Sequence, residues 1–231
     1  MVFLVCYFGY LWIEQEETEA GQVYQKASFN HAKQPVLEEQ GKRQQDRIQW
    51  WELQKEQYPD LIGWIQGENL DYPIVQGQDN EFYLNHLADQ TPNIMGAIFL
   101  DARDPSDLDG DIMVIYGHTT SNGTMFAPLE QFRDETFCEE YGRFFITTPE
   151  KELSAEVIGV CLVSGPEPYP ENFETVEERT SFLDWVQTHS MVNIQVEVDE
   201  NTPLCILSTQ QEIIKSTGWW KEIHWESSCQ S

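Results

Sequence analysis

Basic residues are scarce in this chain of 231 residues: 13 Lys and Arg stand against 40 Asp and Glu, a formal net charge of −27. A phosphate backbone is held by a basic face, so no nucleic-acid partner is expected. Cysteine is sparse too. The five (Cys6, Cys138, Cys161, Cys205 and Cys229) lie far apart without a C-x-x-C pair, which gives no sign of a zinc cluster, a thioredoxin-type site or a complete disulfide framework. The sequence also lacks G-x-G-x-x-G, a P-loop, H-E-x-x-H, an EF-hand loop and any repeat period. No cofactor and no metal are therefore signalled. Nor does any uncharged apolar run approach the roughly 20 residues that a membrane-crossing helix needs.

What is present is enough for one sizeable core: 40% of the residues are hydrophobic and 13% aromatic, too many for a disordered acidic tail. Residues 2–13 (VFLVCYFGYLWI) are uncharged, and the chain turns acidic at Glu14. Too short to span a bilayer and without a Lys/Arg-rich flank, residues 1–13 are expected to be part of a membrane anchor, with a core strand as the other use of such a run. Residues 14–43 are polar and suit a juxtamembrane spacer. Over 44–58 the spacing of Ile48 and Trp51 predicts an amphipathic helix, stopped by Pro59.

Beyond Pro59, short apolar runs alternate with turn residues, as in an all-β barrel or sandwich. Strands are expected over 61–66, 72–75, 97–101, 111–116, 144–147, 153–164, 193–198 and 204–209, with short helices over 80–86 and 125–132. A longer helix is expected over 176–188, where Phe182, Leu183, Trp185 and Val186 give an apolar face. The most informative stretch is 111–132 (DIMVIYGHTTSNGTMFAPLEQF), where an apolar strand delivers Tyr116, Gly117 and His118 into a Gly/Ser/Asn loop. A histidine just past a buried strand is held rigidly yet meets solvent, which suits a general acid/base. His31, His86, His189 and His224 have no comparable setting.

Taken with DLIGWI (60–65), YPIVQG (72–77), YLN (83–85), GAIFLD (96–101) and LST (207–209), that stretch resembles the class B sortases. The resemblance covers about residues 44–209, with the blocks in order and at the right spacing. It implies a mainly β fold: a sortase-type closed β-barrel with an N-terminal helix and a long helix before the seventh strand. The implied activity is that of a cysteine transpeptidase and peptidase, a hydrolase of Gram-positive cells, held by a single N-terminal anchor in the cell membrane with its domain on the extracellular side. Such an enzyme cuts an NPxTN-like sorting signal of a secreted protein, holds it as a thioester and passes it to a peptidoglycan amine. His118 matches the family's histidine, and Asn85, Tyr116 and Ser208 fall on positions lining its substrate groove.

The family's seventh strand ends L-S-T-C, whereas this chain reads Leu207, Ser208, Thr209, Gln210. An amide is neither acidic nor nucleophilic, so Gln210 marks the place of a missing nucleophile. Cys205 lies five residues upstream, about 16 Å along a strand and on the opposite face. Residues 210–231 form an atypical tail without arginine, in place of the family's last, arginine-bearing strand. A frameshift accounts for both losses. Read from the third base of each codon starting at Gln210, one permitted back-translation is TGNNQKYRVVERN, an arginine leading a valine-rich strand. The chain as it stands is thus expected to lack transpeptidation, and its open sheet edge to weaken folding. Two further readings are a pseudo-sortase that binds sorting signals without cleaving them, and a non-catalytic barrel in which His118 is structural.

Overall fold

Pro59 breaks the chain between a helix and a run of strands, and everything that positions the candidate site follows from how those strands close. A computed structural model describes residues 2–9, 36–163, 169–194, 198–199 and 202–211. Its elements are β1 (Val2–Gly9), α1 (Val36–Gln57), β2 (Leu61–Gly67), β3 (Leu70–Val75), β4 (Ile98–Leu100), β5 (Ile112–Thr119), α2 (Glu135–Tyr141), β6 (Arg143–Thr147), β7 (Glu152–Leu162), α3 (Val176–His189) and β8 (Leu204–Gln211). The strands form a closed barrel in the order β1-β7-β6-β2-β3-β4-β5-β8. Most neighbours are antiparallel, but β3 with β4 and β5 with β8 are parallel.

Alternation along β5 and β8 sorts two cores. Met113, Ile115, Cys205 and Leu207 join Ile65, Ile74, Phe126, Phe132, Phe144 and Val160 inside the barrel. Ile112, Val114, Leu204 and Ile206 face the other way and are covered by Phe182 and Val186 of α3. Both faces of these strands are thus buried, which is why they read as continuous apolar runs. Thr175 caps α3 by accepting a hydrogen bond from the Glu178 N–H at 3.1 Å, a standard use of threonine at a helix start. Asp134 does the same for α2, accepting from the Phe137 N–H at 3.0 Å.

Several expectations shift. The first helix begins at Val36 and not at 44, so it takes up part of the expected spacer. The segments expected as helices over 80–86 and 125–132 are single-turn and two-turn 3₁₀ helices, Phe82–Leu84 and Ala127–Arg133, the second carrying Pro128 near its start. α2 was not expected, since its sequence ETFCEEY is mostly polar and only Cys138 is buried. Of the strand expected over 193–198, residues 195–197 lie outside the described residues, and Asn193, Ile194 and Val198 are not in a strand.

The largest difference concerns the first residues. Val2–Gly9, expected to belong to an anchor, is a strand laid between β7 and β8 and antiparallel to both. The sheet edge expected to be open is therefore occupied. The tail beyond Gln211 lies outside the described residues, as do residues 10–35. Among the described residues no helix is long and apolar enough to cross a membrane.

Candidate active site

The parallel pairing of β5 with β8 sets the geometry of the site. It aligns Tyr116 with Ser208, Gly117 with Thr209, and His118 with Gln210. Directly aligned residues of neighbouring strands share a face, so two segments separated by some 90 residues in sequence bring the expected acid/base and the expected nucleophile position side by side. The face is the outer one, continuous with the α3-covered cluster of Val114 and Ile206. Ser208 is 2% exposed, while Tyr116 and His118 are half-buried, so the surface opens toward the ends of the two strands.

Gly117 lets β5 pass close over Phe126 just before His118. A Cβ there would stand 2.6 Å from Phe126 Cδ2, far inside contact distance. Without it the Phe126 ring packs under the strand, and the His118 carbonyl accepts a hydrogen bond from the Phe126 N–H at 2.9 Å. The loop between them returns through Gly123 (φ 80°) and Met125 (φ 58°). Met125 is a non-glycine residue in the left-handed region, held there by its N–H donating to the Tyr72 hydroxyl at 3.0 Å. Behind the site the Thr119 and Thr209 hydroxyls hydrogen-bond to each other across the two strands.

Asn85 sits at the end of the Phe82–Leu84 turn, exposed, with its carbonyl accepting from the Asn93 N–H at 2.8 Å. It is linked to β5 through a row of rings: Tyr83 to Phe99 at 6.4 Å between centroids, then Phe99 to Tyr116 at 5.2 Å. Three of the expected site residues, Tyr116, His118 and Ser208, therefore gather with Gln210 at one strand junction, and Asn85 stands at the far side of an aromatic bridge.

A network unseen in the sequence supports Tyr116. Its hydroxyl donates to Asp101 Oδ2 at 3.0 Å, and Arg103 binds the same carboxylate through Nε at 2.9 Å and Nη2 at 2.8 Å. Burial opposes ionisation of Asp101, but the Arg103 hydrogen bonds and charge and the surrounding donors outweigh it and bring its pKa down to about 2. Arg103 also pairs with Glu171 before α3. Asp104, three residues on from Asp101, accepts from the Val114 N–H of β5 at 2.7 Å. Its pKa is pushed up to about 6, chiefly by burial and further by the Asp101 and Glu171 charges. Only Asp101 stood in a recognisable motif, and nothing local in the sequence tied it to Tyr116.

None of the buried thiols replaces the nucleophile. Cys205 faces the barrel interior, where burial raises its pKa far above the ordinary thiol range. Burial likewise lifts Cys161 to about 11, and burial with the Asp134 and Glu135 charges lifts Cys138 to about 12. The thiolate is the reactive form, so all three are inert at neutral pH. Cys229 lies outside the described residues. Arg47, Arg103, Arg133 and Arg143 pair with Glu152, Asp101 and Glu171, Glu130 and Glu156, and Arg179 donates to the Thr202 carbonyl before β8. Among the described residues no three His, Cys, Asp or Glu side chains gather as a metal site.

No family model matches the chain. It is similar to sortase B of Staphylococcus aureus (strain NCTC 8325 / PS 47), 24% identical over 220 residues that cover 94% of this chain and 89% of that protein. It is also similar to sortase B of Listeria monocytogenes serovar 1/2a, 28% identical over 153 residues, 65% of this chain and 62% of that protein. The crystal structure of Staphylococcus aureus sortase B superposes with a TM-score of 0.67 at 25% identity, over 77% of this chain and 90% of that one. A mutant form of Clostridium perfringens sortase B gives 0.70 over 77% and 86%, at 24% identity. The sequence blocks and the barrel with its two flanking helices agree with these likenesses: in sequence and in fold the chain is similar to the class B sortases, a family of cysteine transpeptidases.

Proposed function

We propose that this chain has the framework of a cell-wall transpeptidase that reads a sorting signal, and that its site as it stands does not carry the transfer through. One observation carries the reading: the register that sets His118 beside Gln210. In the reaction implied by the resemblance, a cysteine thiolate attacks the scissile carbonyl of an NPxTN-like signal. The C–N bond breaks, the histidine gives a proton to the leaving amine, and a peptidoglycan amine then displaces the thiolate from the thioester. An arginine stabilises the oxyanion. Here His118, in register with Gln210, is proposed as the general acid/base, Gln210 as the position of the missing nucleophile, and the arginines with described side chains are bonded elsewhere. A Staphylococcus aureus sortase B has been crystallised as a substrate complex, and a sortase B has been crystallised with triglycine, which supports a peptide and an amine as the partner classes for this chain. Asn85, Tyr116 and Ser208 are proposed as substrate-binding residues on the same ground.

The alternative is a pseudo-sortase that holds sorting-signal peptides without cleaving them. The intact alignment of Tyr116, His118 and Ser208 around Gln210 favours it as the use of the chain as it stands. Titration with an NPxTN-type peptide, together with mass-spectrometric search for a cleaved or thioester-linked product, separates the two. Binding without product fits the binding-only reading, absence of binding leaves only an inactive transpeptidase framework, and any thioester or cleavage by the unaltered chain overturns both. The matching location is the extracellular side of a cell membrane in a Gram-positive bacterium, tested by protease accessibility on intact cells. The anchor expected from residues 2–13 and strand β1 are alternative uses of the same residues, and one chain makes only one of them at a time.

A further inference from the structure

Strand β1 comes from the far end of the sequence and enters the barrel beside the candidate site. Eight of its positions register with β7, from Val2 opposite Leu162 to Gly9 opposite Ser154, with one irregularity between Val5 and Cys6. Six register with β8, from Val2 opposite Thr209 to Tyr7 opposite Leu204. Without β1, β7 and β8 would each present a free edge of backbone donors and acceptors, the usual template for an added strand. β1 runs antiparallel to β8, so its first residues lie at the end of β8 that bears Gln210.

The neighbours explain why an uncharged run fits there. Leu4 registers with Val160 and Leu207, and Cys6 with Val157 and Cys205, all members of the barrel interior. Phe3 registers with Cys161, and Val5 with Ile206, both members of the cluster under α3. A strand in this slot is bordered by apolar surface on both faces, so it must be apolar at successive positions and not alternately. VFLVCYFG satisfies that, and the same property made it look like part of an anchor.

We infer that the gap between β7 and β8 is a strand-docking slot and that Val2–Gly9 of the same chain is its occupant, closing the barrel without supplying the arginine of a catalytic last strand. The slot exists whether or not the neighbouring site turns over, so the inference stands apart from the reading of the site, and it competes only with an anchor built from the same residues. Hydrogen exchange of the full-length chain, followed by mass spectrometry, tests it. Amides of residues 2–9 are expected to exchange at least ~100-fold more slowly than in a free peptide, as ladder amides do. Exchange at free-peptide rates overturns the inference. Leu4→Pro removes a donor and blocks the ladder, and it is expected to speed exchange along Glu152–Leu162 and Leu204–Gln211 by about 10-fold or more. Unchanged protection there overturns it as well. Should Leu4→Pro not fold, exchange in the unaltered chain decides alone. Protection of residues 2–9 that appears only in a dimer on size-exclusion chromatography shows a second copy donating the strand and overturns the intramolecular assignment.

Discussion

Replacing Asp104 by asparagine removes one charge while keeping the oxygen that accepts from the Val114 N–H at 2.7 Å. The carboxyl titrates at about 6 in the fold against an ordinary value of 3.8. That difference of about 2 in pKa corresponds to roughly 3 kcal/mol of preference for the neutral form, at about 1.36 kcal/mol for each tenfold change in proton affinity. Asp104 is half-buried and partly screened by solvent, which lowers the expected effect to about 1–2 kcal/mol. The sign follows from linkage: with the folded pKa raised, the native state binds the proton first, so this group disfavours folding above about pH 6 and ceases to do so as pH falls toward 4. Asp104→Asn should therefore stabilise the protein by about 1–2 kcal/mol at pH 7 and leave it nearly unchanged at pH 4. Urea unfolding at the two pH values, comparing variant with wild type, cancels the general repulsion from the −27 net charge. A variant no more stable than wild type at pH 7, or equally stabilised at both pH values, would refute the reasoning.

Other perturbations test the remaining contacts. Gly117→Ala drives a methyl group into the Phe126 ring and should cost about 1–3 kcal/mol by overpacking, read as a lower urea midpoint with an unchanged slope. Gln210→Cys alone should yield little or no transpeptidation in a fluorescent sorting-peptide assay, because the arginines with described side chains are bonded elsewhere; turnover near that of an intact sortase would sink this account. Tyr83→Phe removes the hydroxyl that donates to Asp60 Oδ2 at 2.6 Å and should destabilise by about 1–2 kcal/mol in the same unfolding assay. Asp101 works in the opposite sense to Asp104: its lowered pKa, about 2, gives stability that is present above about pH 4 and lost as pH falls through 2. Asp101→Asn should reduce the stability difference between pH 4 and pH 2.

The sequence by itself determined the parts of this protein that depend on local pattern and on motif order. The strand–turn alternation after Pro59, the helix before β8 with its apolar face, and the position of His118 at the end of an apolar strand were all legible, because each leaves a signature within a dozen residues. That Gln210 follows Leu207, Ser208 and Thr209 was legible for the same reason. Tertiary structure alone decided which distant segments meet. His118 and Gln210 share a register only because β5 and β8 pair in parallel, and Tyr116 meets Asp101 and Arg103 only across the β4–β5 turn. It also gives residues 2–9 a place in the barrel. An uncharged apolar run satisfies a bilayer and a strand buried on both faces equally well, since both remove it from water, and only the vacancy between two strand edges distinguishes them.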